Sequence, residues 1–481
     1  MAETSYVAGK IDLLDFVIIN YSRKIVTDIR RQCVEFNVYE DLFSPTISFT
    51  ATMLDSNGLI ERFPFIGEEL VAVSFKLPTQ TTIYKKIFSV YKVGNRNERK
   101  ERDESFSIFG ISLESIIDCS STVDSSFIGQ TFSDIISKTY DQYFLNSDLR
   151  HGLRNEDFYL TYDKPLFSEP SSGLHSVVAP LTTPFKFISY CAKQAQSIKY
   201  KESDYVFYEN NDGFNFQTIS SLIEQEPIED YYLADPAAKE TSDSPVTIKD
   251  YQIVRKLEYN SDEFDTIKST LSGLYDNRVL VLDPILKKFT TQTFNYYNSK
   301  NFDDDFTNLD KHSFVSEYSH YKGYKGVSHS RYIISNLSDI EYNQTSYLKG
   351  RTIDRNGNIL DPVSHFPFRR HKFLNNLISK TSQLNTKFIL KIDIPGAPER
   401  KVGDIIRLFV PQRSAVKEFN QVYNLLYGSN PKFLISSVHH RYDFTQDLYI
   451  TTLELIKDSP GQQIVQTEGQ LQSERSGGVI T

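Results

Sequence analysis

The densest grouping of potential metal ligands lies late in the sequence. His439 and His440 are adjacent, and Asp443 and Asp447 follow closely. Imidazole and carboxylate groups are common ligands of zinc. Neighbouring residues on a β-strand point to opposite faces of the sheet, so the two imidazoles cannot readily bind one ion. We therefore predict a structural or surface role for this pair and no metal site.

Paired carboxylates could supply the acid and the nucleophile of a glycoside hydrolase. Glu68-Glu69 and Asp303-Asp304-Asp305 are two such groups among the 62 acidic residues. That reaction needs two carboxyl groups at a defined separation in space, which a sequence does not reveal. Solvated acidic turns account for these groups more simply, and we predict no catalytic residues.

The cysteines and the common nucleotide motifs do not indicate a cofactor. Cys33, Cys119 and Cys191 are odd in number, widely spaced and without a CxxC pair, so they predict buried reduced thiols. The motifs GxxxxGK[ST], GxGxxG, HExxH and GxSxG are absent from the sequence. We expect no cofactor.

A run of mixed charge from residue 95 to residue 104 is the remaining candidate site. Arg96, Arg99, Lys100 and Arg102 are interleaved there with acidic residues, as a connection between two predicted strands. One interpretation is the solvated tip of a hairpin. The other is a contact with a neighbouring subunit, where complementary charge would fix register more than affinity.

The composition limits the classes of protein to consider. Hydrophobic residues make up 39% and charged residues 24%, which is typical of a folded globular chain, and 481 residues exceed one core. We expect three compact units. The 30 Tyr and 34 Phe favour strands. The net charge of −9 argues against a protein that grips nucleic acid through its phosphates.

The sequence predicts neither a leader nor a membrane anchor. Its first residues lack the basic start and apolar run of a signal peptide, and no stretch approaches 18 uninterrupted apolar residues. We therefore expect synthesis and assembly in the cytoplasm.

Alternating apolar residues predict an antiparallel meander of four to six strands within about the first 120 residues. From Ile47 to Met53 every second residue is apolar and the residues between are Ser or Thr. In the preceding strand the same pattern places Val34 on the buried face and Cys33 on the other.

The period then changes, which predicts a unit of mixed helix and strand. Apolar residues between Phe132 and Phe144 recur at three- and four-residue spacings, and Thr183-Pro184 is typical of a helix start. The segments 205–208 and 214–216 are joined by turn-forming residues and predict a hairpin.

The acidic, Pro- and Ala-rich stretch 230–244 predicts a boundary, after which strand character returns. We predict strands at 246–260 and 278–282, helices at 264–275 and around 373–384, and further strands from 388 to about 456. The expected domains are a first β-barrel at 1–122, an α+β domain at 123–235, a second β-barrel at 236–459 with an irregular insertion at about 294–370, and a flexible tail at 460–481.

The two β-rich segments resemble each other. Ile66 to Val73 and Val402 to Phe409 each contain a Gly-acid turn that leads into a strand, where Gly supplies a backbone conformation that other residues avoid. Downstream, 88–93 parallels 434–439, and 106–116 parallels 449–456. Any two antiparallel strand pairs joined by such turns would look alike, so the pattern leaves duplication open.

Several motifs resemble those of central baseplate hub proteins of contractile-tailed bacteriophages, the myoviruses. The opening carries NVYEDLFSPTIS from Asn37, DSNGLIE from Asp55 and PFIGEE from Pro64. Later, FYEN from Phe207 with GFNF from Gly213, VGD at 402–404 and FLISSVHH at 433–440 follow in the order that those hubs show. The resemblance covers the chain to about residue 458.

The resemblance implies a mainly β chain with α+β insertions, in which two tail-tube-like antiparallel β-barrels accompany a mixed α/β unit. It also implies a homotrimer in the tail baseplate of the virion, whose six barrels adapt a hexameric tail tube to a trimeric central spike. The expected partners are the spike, which would be a separate polypeptide, the tail tube or tube-initiator protein, baseplate wedge proteins and the tape-measure protein. DNA would only pass during genome ejection, through a channel with an acidic lining.

Two alternatives remain open at the level of sequence. The chain could be a tail-associated glycan or cell-wall hydrolase, which a β-rich, aromatic-rich composition does not exclude. It could also be the hub of a phage-derived injection or secretion particle.

Overall fold

In the computed structural model, most of the described residues belong to β-strands, and one large sheet runs through the molecule. This agrees with the predicted mainly β class. The structure describes residues 9–20, 25–56, 58–63, 65–67, 69–78, 81–100, 103–146, 164–200, 202–233, 250–259, 266–273, 276–283, 288–295, 331–336, 388–410 and 430–457.

The first β unit contains seven strands and one short helix. They are β1 (Asp12–Asn20), β2 (Ile25–Asp28), β3 (Cys33–Asp41), β4 (Ser48–Asp55), α1 (Leu59–Arg62), β5 (Glu69–Lys76), β6 (Ile83–Lys100) and β7 (Asp103–Ile111). The antiparallel order is β3-β4-β7-β6-β5-β1-β2. The prediction of a simple meander of four to six strands is therefore wrong, because β4 pairs with β7 and not with β5.

The first unit closes into a barrel. β1 and β3 are five positions apart in the strand order, yet the rings of Phe16 on β1 and Phe36 on β3 lie 5.8 Å apart. The N–H of Ile29, just before β3, donates to the carbonyl of Phe16 at 2.9 Å. The sheet thus curls until its two ends cover the same core.

Burial in the first unit follows the predicted alternation with one exception. Phe49, Ala51 and Met53 are buried. In β3, Cys33 is buried and Val34 is only half-buried, the reverse of the prediction. The β3–β4 register shifts between Cys33 and Glu35, and such a bulge moves the residues before it to the opposite face.

The α+β unit follows the first barrel. Its elements are α2 (Leu113–Ser120), β8 (Ser126–Gln130), α3 (Phe132–Tyr140), a π-helical turn (Asp141–Leu145), β9 (Leu166–Ser168), β10 (His175–Val178), α4 (Pro184–Ala192), β11 (Tyr205–Asn210), β12 (Gly213–Thr218) and α5 (Ile219–Ile223). The predicted helices and hairpin are confirmed. Thr131 caps α3, because its Oγ1 accepts the N–H of Asp134 at 3.2 Å. Within the described residues, none of the helices is long and apolar enough to cross a membrane.

The second β unit is assembled from distant parts of the chain. Its elements are β13 (Asp230–Tyr232), a 3-10 turn (Asp250–Gln252), β14 (Lys256–Tyr259), α6 (Thr266–Ser272), β15 (Asp276–Asp283), β16 (Lys288–Asn295), β17 (Arg331–Asn336), β18 (Phe388–Pro395), β19 (Ile405–Phe409), β20 (Lys432–Asp443) and β21 (Leu448–Lys457). Strands β15 to β17 form a separate small sheet. The others follow the order β14-β18-β21-β20-β19-β13.

Some of the predictions for the second β unit need correction, and others concern residues outside the described ranges. Within the predicted strand 246–260, the structure forms a 3-10 turn at Asp250–Gln252 and a strand at Lys256–Tyr259, and residues 246–249 and 260 lie outside the described residues. The predicted helix at 373–384, most of the insertion 294–370 and the tail 460–481 lie outside the described residues.

The two β units share one strand order, with β3-β4-β7-β6-β5-β1 matching β14-β18-β21-β20-β19-β13. Only the last pair differs in direction, since β1 is antiparallel to β5 whereas β13 is parallel to β19. The second unit also closes, because a bridge joins Tyr232 of β13 to Ile253, just before β14. The predicted internal correspondence is thus reproduced by the strand pairing.

The registers of the two units also agree. Ser89 of β6 lies opposite Leu70 and Ile111, and Leu434 of β20 lies opposite Ile405 and Ile456. In each unit a bulge follows two residues later, at Tyr91 and at Ser436. The structure therefore aligns Ser89 with Leu434, whereas the sequence comparison aligned Phe88 with Leu434, an offset of one residue.

The two units are joined through β20. Its first residues pair with β19, and residues 437–443 pair with β3 of the first unit. The β20–β21 hairpin therefore contributes to both cores. Val438 and Leu453 lie in the second core, and Tyr442 and Tyr449 lie in the first.

Candidate functional site

The pairing of β20 with β3 creates a continuous sheet of eight strands, β14-β18-β21-β20-β3-β4-β7-β6, whose outer face is polar. The inner face covers the two barrel cores. Because side chains alternate along each strand, the residues between the core positions line the outer face: Lys256, Glu258, Ile389, Lys391, Asp393, Thr452, Glu454, His439, Arg441, Glu35, Asn37, Tyr39, Ser48, Thr50, Thr52, Ser107 and Phe109. We call this set the polar face.

Charged groups on the polar face pair with each other across strands. Lys391 Nζ lies 3.7 Å from Glu454 Oε2, and Arg441 Nη2 lies 3.2 Å from Glu35 Oε2. Thr452 Oγ1 donates to Asp393 Oδ1 at 2.6 Å. Charges of both signs therefore lie along the polar face.

The centre of the polar face lies at the seam between the two units. The imidazole of His439 stacks on Tyr39 at a centroid distance of 4.4 Å, and its Nε2 lies 2.8 Å from Asn37 Oδ1. Burial, followed by the charge of Arg441, lowers the pKa of His439. The ring is therefore uncharged at neutral pH, and the seam carries no extra positive charge.

His439 and His440 lie on opposite faces of β20, as predicted. His440 is buried below the seam, where its Nδ1 lies 2.9 Å from Tyr449 Oη, and burial lowers its pKa well below the usual value. Asp443 accepts backbone N–H groups in the turn after β20, and Asp447 pairs with Lys10. Among the described residues, no three His, Cys, Asp or Glu side chains are grouped as metal ligands would be.

Glu69, one of the paired carboxylates that could have belonged to a glycosidase site, stabilises a turn. Glu69 is fully buried, and its two oxygens accept the N–H groups of Ile66 and Gly67, each at 2.9 Å. It therefore fixes the turn before β5. Glu68 and residues 303–305 lie outside the described residues.

Two of the three cysteines are buried, as predicted, and the third is not. Cys33 and Cys191 are enclosed, and burial raises the pKa of Cys191 to about 12. Cys119 is exposed on α2, which corrects the prediction for that residue.

The mixed-charge segment is strand for most of its length, and not the connection that the sequence predicted. β6 continues to Lys100 and β7 begins at Asp103. Arg96 is exposed and binds Glu104 of β7 through Nε at 2.7 Å and Nη2 at 2.9 Å. Arg99 and Lys100 lie at the end of β6, and Arg102 lies outside the described residues.

Buried ion pairs fix the elements behind the polar face. Lys86 of β6 binds Glu40 of β3 at 3.0 Å, and Glu40 is fully buried. Lys164 binds both Glu114 and Glu209, and Glu209 also accepts the N–H of Ile47 at 3.0 Å. These contacts hold the α+β unit against the first barrel.

Sequence reasoning missed the polar face as a site. The sequence carries polar residues at most of the alternate, outward positions of β3, β4, β18, β20 and β21. Each strand alone reads as half-buried, however, and only the long-range pairing of β20 with β3 brings these residues onto one surface.

Comparisons with known proteins agree with the fold. No protein-family model matches the sequence, and no curated protein matches it in sequence. A tail protein from Neisseria meningitidis MC58 shares the fold with a TM-score of 0.50 at 10% identity, over 92% of this chain and 97% of that one. The 43 kDa tail protein of prophage MuSo2 from Shewanella oneidensis gives a TM-score of 0.49 at 8% identity, over 93% and 100%.

A third solved structure is the Escherichia coli c3393 protein, described as a component of the type VI secretion system with structural similarity to the T4 bacteriophage tail proteins gp27 and gp5. It gives a TM-score of 0.39 at 9% identity, over 93% of this chain and 76% of that one. The match to the Neisseria meningitidis tail protein, at a TM-score of 0.50, shows that this chain shares the fold of a phage tail protein, and the resemblance drawn from the sequence is confirmed at the level of the fold.

Proposed function

We propose that this protein is the central hub of a contractile phage baseplate and acts as a homotrimer. Each chain supplies two barrels, which we assign to residues 1–122 and 236–459, with an α+β domain at 123–235 between them. Two elements cross these assigned boundaries, because β13 pairs with β19 of the second barrel and α2 packs in the core of the α+β unit. Three chains form a ring with six barrel positions that adapts the hexameric tail tube, or a tube-initiator protein, to a trimeric central spike. Baseplate wedge proteins bind around the ring.

The shared strand order of the two units is the observation that carries this proposal. Two barrels of one topology, joined in one sheet, give each chain two similar positions. Head-to-tail contacts between identical chains close into a ring when the rotation allows it. A trimer of such chains presents near six-fold symmetry to one partner and three-fold symmetry to the other.

The polar face is the surface that we assign to the channel. Tape-measure protein and DNA leave through this channel during ejection. DNA is retained by clusters of basic side chains that neutralise phosphates. On the polar face the basic groups Lys391 and Arg441 are each paired with a carboxylate, and this pairing favours passage over binding.

We assign the chain a structural role and not a catalytic one. The carboxylates described in detail hold turns or ion pairs, as Glu69 and Glu209 do. The shared fold is that of a phage tail protein. We place the mature protein in the virion tail, after synthesis in the host cytoplasm.

The solution mass of the purified chain tests the proposal. Light scattering across a dilution series, with and without the candidate spike protein, should give three times 55.5 kDa in at least one condition. A persistent monomer in both would contradict the proposal. Turnover of host envelope glycans by the purified chain would instead favour the hydrolase.

A further inference from the structure

A cluster of polar side chains lies beneath the seam, on the inner face of the sheet where the two β units meet. Glu40 of β3 is 0% exposed and His440 of β20 is 1% exposed. Lys86 of β6 binds Glu40. Tyr449 and Thr451 of β21 lie next to His440. Polar groups buried to this degree are nearly always hydrogen-bonded, because a missing bond leaves the full cost of removing the group from water.

Two atoms of this cluster do not follow that rule. Among the described residues, neither Oε2 of Glu40 nor Nε2 of His440 has a hydrogen-bond partner. The other oxygen of Glu40 accepts from Lys86 Nζ at 3.0 Å. The other ring nitrogen of His440 lies 2.9 Å from Tyr449 Oη and 3.3 Å from Thr451 Oγ1. Within this part of the chain, each of the two side chains is thus paired at one end only.

The protonation of His440 determines what its Nε2 can bind. Burial, followed by the charge of Lys86, lowers the pKa of His440 well below its usual value, so the ring is uncharged and one nitrogen carries the proton. Tyr449 is fully buried, and its hydroxyl donates to Nδ1 of His440. This contact assigns the ring proton to Nε2, which is therefore a donor, whereas Oε2 of Glu40 is an acceptor.

The strand register directs these two side chains toward each other. Glu40 lies opposite Val438, and His440 lies opposite Val38, so Glu40 and His440 are diagonal neighbours on one face of the sheet. The Cα atoms of diagonal neighbours are about 7–8 Å apart, within reach of long side chains. One water molecule with a hydrogen bond of about 2.8 Å on each side bridges two atoms that are roughly 5.5 Å apart.

We propose that one buried water molecule binds between His440 and Glu40 and links the two β units beneath the seam. The water accepts from Nε2 of His440 and donates to Oε2 of Glu40. The link completes a row of hydrogen bonds that runs from Tyr449 through His440 and Glu40 to Lys86. Buried waters typically occupy sites of this kind, between polar groups that lack other partners. The inference stands independently of the proposed function.

A metal ion fits the same two atoms less well. Zinc would need an unprotonated ring nitrogen and further ligands, whereas Nε2 carries the ring proton. The ammonium group of Lys86 also lies beside Glu40 and would repel a cation. Water matches the donor on one side and the acceptor on the other.

The link would fix the register in which the two units are joined. Residues 437–443 of β20 pair with β3, and His439 contacts Asn37 on the polar face of this pairing. A slip of one residue would move His440 to the polar face and His439 to the inner face. Only the observed register places a ring nitrogen beside Glu40. The water site therefore makes two adjacent histidines unequal and opposes the slip.

A crystal structure of the full chain at about 2 Å resolution or better tests the site directly. We expect one density peak between His440 and Glu40, within about 2.6–3.2 Å of both Nε2 and Oε2. A peak at about 2.0–2.2 Å with an anomalous signal would identify a metal and overturn the proposal. A direct hydrogen bond between the two side chains, or the absence of a peak, would also overturn it.

A double-mutant cycle tests whether the water links the two units. His440→Phe and Glu40→Gln are made singly and together, and urea denaturation gives the unfolding equilibrium constants. Residues joined by a hydrogen-bond network couple, so the double variant should lose less than the product of the single losses, by on the order of tenfold. An additive cycle would overturn the link even if the density peak is present.

His439→Phe, combined with Glu40→Gln, is the matched control. His439 is adjacent to His440 but lies on the opposite face of β20 and contacts Asn37. The losses of this pair should multiply to within about twofold. Equal coupling in both cycles would show that the effect does not depend on the water site. If His440→Phe does not fold, the density in the native chain decides.

Discussion

The two β units place different side chains on the same strand order. The first core contains many aromatic rings, among them Phe16, Phe36 and Phe49, whereas the second core is mainly Leu, Ile and Val. Phe49 of β4 and Leu390 of β18 occupy equivalent positions, and both are buried. The strand order therefore depends on the alternation of apolar positions and on the bulge, and not on the identity of the core residues.

The two Gly-acid turns likewise share a backbone conformation although their surroundings differ. Gly67 has φ of +94° and Gly403 has φ of +92°. Their surroundings differ, because a Cβ on Gly403 would lie 2.5 Å from Tyr208 Oη, whereas a Cβ on Gly67 would meet no described atom within 4 Å. Each turn keeps its backbone conformation, but only the second is packed against the α+β unit.

The largest expected difference in stability is between Gly→Ala variants of these two turns. Gly403→Ala adds a steric clash to the strain of a left-handed backbone and should lower the free energy of unfolding by about 3–4 kcal/mol. Gly67→Ala adds only the strain of the left-handed backbone and should lower the free energy of unfolding by about 1 kcal/mol. Urea denaturation of the two variants measures the difference. Equal losses would show that the turns have the same surroundings in solution.

The second prediction compares a buried ion pair of the first unit with an exposed pair of the second. Lys86→Met leaves Glu40 buried and unpaired, so we expect a loss of about 3 kcal/mol in the free energy of unfolding. Lys391→Met removes the exposed partner of Glu454 and should cost under about 1 kcal/mol. The double variant Lys86→Met/Glu40→Leu should recover most of the first loss, as measured by the same denaturation curves. If it recovers nothing, the ion pair is not the cause.

The third prediction concerns pH and the acid of the second turn. Burial raises the pKa of Asp404 to about 6. The folded state then binds this proton more tightly than the unfolded state does, so this group stabilises the fold below about pH 4 and the contribution is lost as pH rises to about 6. Asp404→Asn should therefore gain about 2 kcal/mol relative to the native chain between pH 4 and pH 7.

Asp443 should show the opposite dependence of stability on pH and serves as the control. The hydroxyl of Thr445 and nearby backbone N–H groups lower the pKa of Asp443. Its contribution is present above about pH 4 and is lost as pH falls, so Asp443→Asn should lose stability relative to the native chain as pH rises. Denaturation at pH 2, 3, 4, 5, 6 and 7 checks both variants, because the Asp443 contribution changes below about pH 4 and the Asp404 contribution changes above it. Parallel curves for the two would contradict the assignment.

The smallest expected effect is on the polar face itself. Arg441 is about half exposed, and its pairing with Glu35 joins the two units across the seam. Arg441→Ala should lower the free energy of unfolding by only about 0.5 kcal/mol, because exposed ion pairs are screened by water. Thermal unfolding measures this change. A loss above 2 kcal/mol would mean that the seam depends on this pair and not on the strand pairing below it.

Much of the fold could be predicted from local pattern. Alternating apolar residues predicted β4 and β18, and apolar residues at three- and four-residue spacings predicted α3. The Thr183-Pro184 start gave α4, and the Gly-acid turns gave the equivalence of β5 and β19. In each case the signal lies within a few residues of the element that it specifies.

Pairing and register could not be predicted in the same way. The bulge that buries Cys33 depends on its neighbour β4, and the one-residue offset between the repeats depends on hydrogen bonds across strands. The polar face requires β3 and β20, about 400 residues apart in sequence, to lie side by side. No local period carries that information.

The β20–β21 hairpin has a consequence for the order of folding. Tyr442 and Tyr449 stack at 4.2 Å within the first core, so that core is incomplete until these late residues have been synthesised. Contacts of such long sequence separation form slowly. A nascent chain would therefore hold its N-terminal barrel in an unfinished state through most of translation. In the proposed ring, assembly would then be restricted to chains synthesised at least as far as this hairpin, which would exclude truncated copies.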